Sequence, residues 1–119
     1  MIKMERRIRT IIIVAAVVLS TVLVYYAIVP PGKYDSFAKC LTEKGVVMYG
    51  ADWCTACMAQ KAFFGTSFSF VNYTRCSDNE ALCTAKGVDH FPTWEINGNL
   101  TVGAQQLSTL ANLSGCALP

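Results

Sequence analysis

Apolar and polar positions divide the chain at Pro30. Between Thr10 and Val29 no residue is charged, and the polar positions are Thr10, Ser20, Thr21, Tyr25 and Tyr26. As a helix these 20 residues would be ~30 Å long, the thickness of a bilayer's hydrocarbon core. No polar face interrupts the run, as the solvent side of a core helix would. After Pro30-Pro31-Gly32 the pattern changes to short periodic segments. Asp35 or Ser36 can cap a helix through Phe37, Ala38, Cys40 and Leu41, with Gly45 at its C-terminal end. Val46 to Tyr49 is an apolar strand that bends at Gly50-Ala51-Asp52 into a helix running from Cys54 to about Phe64, stopped by Gly65. Ser67 to Cys76 alternates Phe68 and Phe70, then Val71 and Tyr73, with polar residues, and predicts a second strand with a phase slip. Ser77 or Asp78 can cap a short helix, Asn79 to Lys86, closed by Gly87. Thr93–Ile96 and Asn99–Val102 flank Asn97-Gly98, a strong hairpin signal. Leucines 107, 110 and 113 predict an amphipathic helix over Gln105–Leu113. The predicted order is a helix followed by β-α-β-α-β-β-α: an α/β domain without internal repeats.

Charge sharpens this division. Lys3, Arg6, Arg7 and Arg9 against Glu5 give residues 1–9 a net charge of +3, whereas six Lys and Arg against seven Asp and Glu leave −1 beyond Pro30. The overall +2 therefore belongs to a basic tail, and no basic stripe points to a nucleic-acid partner. Basic residues before an apolar span place the tail in the cytoplasm and the following domain outside, with Tyr25 and Tyr26 suited to the membrane interface. The organisation expected is a cytoplasmic tail 1–9, a transmembrane anchor 10–29, a linker 30–35 and an extracytoplasmic domain 36–119. A cleaved signal peptide is the competing reading. Its apolar region usually spans about 7–15 residues and ends at small residues, and Tyr25-Tyr26-Ala27-Ile28-Val29-Pro30 makes a poor cleavage site. The six cysteines suit a disulfide-permissive compartment and a small domain that gains from crosslinks.

Candidate chemistry concentrates where the first strand hands over to a helix. Cys54 at a helix N-terminus would meet unpaired N–H groups and the positive end of the macrodipole, which favour its thiolate. Cys57 lies one turn further on nearly the same face, within disulfide reach. One sulfur can attack and the other resolve, and this chemistry calls for no cofactor. A zinc site would need a second cluster of ligands. His90 is the only histidine and the other cysteines are scattered, so no metal is expected. A purely structural disulfide fits less well with two cysteines at a helix start beside Trp53.

The element order resembles the thioredoxin fold over roughly Ser36 to Gly115. Trp53-Cys54-Thr55-Ala56-Cys57 matches that family's W-C-x-x-C, and Phe91-Pro92-Thr93 matches its cis-proline loop. The resemblance implies that Cys54 is the nucleophile and Cys57 the resolving thiol. It implies a cis Pro92 facing them, with Trp53, Phe91, Pro92 and Thr93 docking substrate. A proline there withholds its N–H and leaves neighbouring backbone free for an extended chain. A narrower resemblance rests on Met48-Tyr49-Gly50-Ala51, Gln60-Lys61, Phe64-Gly65, the Cys76 and Cys83 pair, and Pro92 to Gly98. Together these look like the thioredoxin-like domain fused behind bacterial homologues of vitamin K epoxide reductase. The quinone-reducing helices of those fusions are absent, which implies a separate vitamin K epoxide reductase-like membrane partner.

The remaining cysteines divide into pairs. Nearness in sequence and the resemblance both favour Cys76–Cys83, either structural or an electron relay. Cys40 and Cys116 have no counterpart in the family pattern; they either bond to each other or stay as two buried thiols. Met48 stands where cytoplasmic thioredoxins keep a buried acid, and a thioether cannot take a proton from Cys57. That suits an oxidant of protein thiols. A reductant of protein disulfides and a redox-inactive docking module are the alternatives. His90 is either an aid to proton transfer near Pro92 or a surface loop residue. Glycosylation sequons begin at Asn72, Asn99 and Asn112.

Overall fold

Nothing between Ile2 and Ile28 breaks a helix, and the computed structural model, which describes all 119 residues, forms one continuous helix there, α1 (Ile2–Ile28, 27 residues). It starts well before the predicted span because Met4, Glu5, Arg6 and Arg7 are good helix formers. It stops because Val29, ahead of Pro30, is held extended (φ −88°, ψ 98°) by the proline ring. No α1 residue is buried in the chain, and its mean hydropathy reaches 2.7 over its most apolar window. The hydroxyls inside the apolar run turn back on the helix: Thr10 donates to the Arg6 carbonyl, Ser20 to Val17 and Thr21 to Val18, at 2.8–2.9 Å. Their polar atoms are thereby satisfied without water. Met1–Pro31 forms one compact unit and Gly32–Pro119 a second.

Within Gly32–Pro119 the elements are α2 (Asp35–Glu43), β1 (Val47–Gly50), α3 (Thr55–Phe64), a 3₁₀ segment (Gly65–Phe70), β2 (Tyr73–Arg75), α4 (Glu80–Ala85), β3 (Thr93–Ile96), β4 (Asn99–Val102) and α5 (Leu107–Ser114). The sheet order is β2-β1-β3-β4. β1 runs parallel to β2 and antiparallel to β3, which pairs antiparallel with β4. Together with the helix order, this is the thioredoxin-like fold. The β3–β4 turn has positive φ at both Asn97 (52°) and Gly98 (76°), the geometry that Asn-Gly favours between two strands.

Alternation along β1 sends its side chains to opposite faces. Met48 joins Phe37, Leu41, Phe64, Trp94 and Leu110 in the main core, while Tyr49 joins Cys76, Cys83 and Val88 in a smaller cluster. The Tyr49 hydroxyl donates to Glu95 Oε2 at 2.6 Å, and Lys86 Nζ lies 3.1 Å from Glu95 Oε1. Two disulfides tie the periphery: Cys40–Cys116 joins α2 to the segment after α5, and Cys76–Cys83 joins the end of β2 to α4.

The structure departs from the pattern-based expectation at three elements, the simplest being α4, whose N-cap is Asn79 rather than Ser77 or Asp78. The predicted strand over Ser67–Cys76 survives only as Tyr73–Arg75. Gly65, at φ 59°, redirects the chain into a 3₁₀ turn whose Ser67 is fully buried and accepts the Tyr34 N–H at 3.0 Å. Phe68 meets Phe64 and Tyr73 edge-on, and Phe70 lies under Lys39. The alternation of phenylalanines thus served a tight turn, an ambiguity that short apolar runs carry. At α2 the N-cap is Tyr34. Asp35 sits inside the first turn, where its carboxylate accepts the Gly32 N–H at 2.9 Å and complements the helix dipole.

Candidate active site

β1 ends at Gly50, and the chain turns through Ala51, Asp52 and Trp53 to reach the start of α3. Cys54 is the N-cap of that helix (φ −85°, ψ 110°), with its carbonyl accepting the Met58 N–H at 3.2 Å. Its Sγ accepts the Cys57 N–H at 3.0 Å, so the sulfur occupies the place of the oxygen in an ordinary N-cap and satisfies one orphan donor of the first turn. Cys54 is partly exposed and Cys57 buried, and neither is in a disulfide. The Cys57 thiol is pushed up to about 11, first by burial and then by its neighbour Cys54; a hydrogen bond from the Ala51 backbone and the charge of Lys61 pull the other way. Buried Cys57 holds its proton, so the two sulfurs are chemically unequal.

The antiparallel register pairs Tyr49 with Thr93. That brings Pro92 to the end of β1 from which the Cys54 loop departs. The Phe91–Pro92 peptide bond is cis, and Pro92 is buried. The Pro92 carbonyl accepts the Gly103 N–H at 2.7 Å, and the buried Thr93 hydroxyl donates to the His90 carbonyl at 2.7 Å. Thr93 therefore shapes the loop with its side chain. Phe91 is half-buried between the two clusters, whereas Trp53 is 72% exposed. Both border a groove of about 450 Å³ whose floor includes Val88 and the Cys76–Cys83 bridge. His90 is exposed, its Nδ1 2.8 Å from Asp89 Oδ1, and it holds that carboxyl below the usual range. No group of three or more His, Cys, Asp or Glu side chains is placed to hold a metal. Cys40 and Cys116 are bonded to each other in the crosslink between α2 and the tail of the domain.

No protein-family model matches the chain. It is 34% identical over 92 residues, 70% of its own length, to the thiol-disulfide oxidoreductase LTO1 of Arabidopsis thaliana. The chain spans about a quarter (24%) of that relative's length. Among solved structures, the thioredoxin of Malassezia sympodialis (Mala s 13) aligns with a TM-score of 0.48 at 20% identity, covering 75% of this chain and 95% of that one.

Three residues around the sulfurs carry structure that motif reading did not assign. Gln60 is fully buried one turn below Cys57. Its Oε1 accepts from Trp94 Nε1 at 3.1 Å and from the Gln105 N–H at 2.6 Å, and its Nε2 donates to the Gln105 carbonyl at 3.0 Å. The signal for it was positional: Cys57, Gln60 and Phe64 share the inner face of α3. Lys61 rests its Nζ 4.1 Å from the centroid of the Tyr73 ring, and its i+4 spacing from Cys57 was readable. Tyr73 had no such signal, because only the β1–β2 register, Met48 beside Tyr73, brings it to the site.

Proposed function

We propose that the domain is a thiol–disulfide oxidoreductase acting through Cys54 and Cys57. The observation that carries this reading is the inequality of the two sulfurs: Cys54 accessible at a helix N-terminus and hydrogen-bonded by an N–H, Cys57 buried one turn beneath. In the oxidising direction a substrate thiolate attacks Cys54 Sγ of the oxidised pair. The Cys54–Cys57 bond breaks, its electron pair leaves on Cys57 Sγ, and a substrate–Cys54 mixed disulfide forms. A second substrate thiolate then attacks the substrate sulfur of that bond and expels Cys54. Two electrons pass to the protein, which is left as a dithiol. Trp53, Phe91 and the backbone around cis-Pro92 border the sulfurs and would hold the substrate chain alongside them.

In this reading, residues 10–29 span a bilayer with the basic tail 1–9 in the cytoplasm, residues 30–35 link, and residues 36–119 work on the far side. The 27-residue helix, uncharged from Thr10 onward and with its hydroxyls self-satisfied, supports it. The substrates are thiols of exported proteins. A membrane-embedded reductase similar to vitamin K epoxide reductase passes the electrons to a quinone. Anchoring raises the effective concentration of the dithiol toward such a partner. The Cys76–Cys83 bridge is structural in this scheme. The deciding measurement traps the in-cell redox state of Cys54–Cys57 by acid quench and alkylation, with and without the partner. A pair oxidised with the partner and reduced without it is expected; a pair reduced in both would make the protein a reductant. Insulin turnover by the full chain in detergent that is no faster than that of Cys54→Ser would leave only a docking module.

A further inference from the structure

Tyr73 Oη is the one buried side-chain nitrogen or oxygen without a hydrogen-bond partner. A hydroxyl hidden from water without a partner destabilises the fold, and orphans of this kind mark strained or catalytic positions. Its surroundings say what could use it. A Cβ at Gly50 would stand 3.0 Å from Cys57 Sγ and 3.1 Å from Tyr73 Oη, so the sulfur and the hydroxyl both border the space that the missing side chain of Gly50 leaves open. The tyrosine ring is held in place, with Lys61 Nζ over its face at 4.1 Å and Phe68 edge-on to it.

The Ala51 backbone already offers this sulfur one hydrogen bond, and two further donors nearby are committed elsewhere. The Gln60 amide is spent on Trp94 and Gln105, and the Cys57 N–H on Cys54. The charged and titratable groups that act on this sulfur and hydroxyl are Cys54 at the N-cap of α3, Lys61 on α3, Asp52 from the loop before it, and Arg75 from β2. Arg75 is itself held by Asp52 and Asp78, each at 2.8 Å. Burial, and then the negative charge that Cys57 can carry, raise the Tyr73 hydroxyl above its ordinary value, so it stays a donor.

We propose that Tyr73 is a positioning residue for Cys57: its free hydroxyl donates a hydrogen bond to the thiolate left on Cys57 when the Cys54–Cys57 bond opens. The inference rests on the dithiol reading above and adds to it the group that receives the leaving sulfur. The same bond would hold the Cys57 thiolate ready to attack a Cys54 mixed disulfide in the reverse direction.

The test follows reduction of Cys54–Cys57 by dithiothreitol in the full chain in detergent, read by Trp53 fluorescence across a pH series. Tyr73→Phe keeps the ring under Lys61 and removes only the hydroxyl. It should slow reduction about tenfold, the effect of losing one hydrogen bond to a charged group, and move ionisation of the Cys57 thiol to higher pH. Alkylation of Cys54 should not change, and the thermal midpoint should hold or rise, since an orphan group is gone. Tyr73→3-fluorotyrosine, a stronger donor, should accelerate reduction. If neither variant changes the rate or the ionisation, the hydroxyl has no role in the chemistry and the inference is overturned. A wild-type pair that dithiothreitol does not open at all would overturn the dithiol reading itself.

Discussion

Replacing Cys40 and Cys116 together by alanine should cost the domain far more than replacing Cys76 and Cys83. The first bridge closes a sequence separation of 76 residues and the second one of 7. Loop-closure entropy removed from the unfolded chain scales with the logarithm of that length. It amounts to about 4.5 kcal/mol for the long loop and about 2.4 kcal/mol for the short one at 25 °C. For a domain of ~90 residues each kcal/mol moves the thermal midpoint by about 4–8 °C. Losing the long bridge should therefore lower it by roughly 20–35 °C, and losing the short one by about 10–20 °C. Alanine is the apt replacement, because Cys116 is 4% exposed and serine would bury a hydroxyl. The assay is thermal and urea unfolding of the full chain, followed by circular dichroism, with the urea slope reporting any change in unfolded-state compactness. A loss below ~1 kcal/mol for the long bridge, or a larger loss for the short one, would refute the closure argument.

Three further outcomes can be checked. In the reduced protein the folded state keeps the Cys57 proton up to about pH 11, whereas the unfolded thiol loses it near 9; stability held below pH 9 should fade as pH rises through 11, and Cys57→Ala should flatten that decline in melts at increasing pH. Gly50→Ala would set a Cβ 2.9 Å from Tyr73 Cε2 and 3.0 Å from Cys57 Sγ; a loss of about 1–3 kcal/mol in urea unfolding is expected, and an unchanged midpoint would mean the two side chains part freely. Pulsed alkylation of the reduced protein in mild acid should label Cys54 well before Cys57, as read by peptide mass spectrometry; equal labelling would contradict the burial of Cys57.

What could be read in advance was local, and what could not was set by register. The bend at Gly50–Trp53, the helix behind it and the Asn97-Gly98 turn follow from residues adjacent in sequence, so their pattern was sufficient. The 3₁₀ turn at Gly65–Phe70 was misread as strand because two phenylalanines at alternate positions fit either winding, and the burial of Ser67 against Tyr34 is a long-range contact. The N-cap of α2 failed for a similar reason: Asp35 found a nearer donor in the Gly32 N–H. Around the sulfurs, the pair Cys54 and Cys57 stood out by spacing, and the proline opposite through the family resemblance. Tyr73 did not, since its approach to Gly50 depends on β1 and β2 lying parallel with Met48 beside it. The partner of Cys40 was likewise open, because spacing cannot decide between a bond and two buried thiols.

The three hydrogen bonds of Gln60 tie the inner face of α3 to Trp94 on β3 and to both backbone groups of Gln105, just ahead of α5. Cys57 sits one turn away on the same face, so α3 cannot swing that sulfur outward while the amide stays engaged. Any fluctuation that brings Cys57 to a bulky reagent must first release the Gln105 N–H to solvent. Deuterium uptake at that amide and capture of the inner sulfur then report one opening event, with a common rate and a common free energy. The inner sulfur is guarded by a latch two elements away, and its accessibility becomes a property of the domain's breathing.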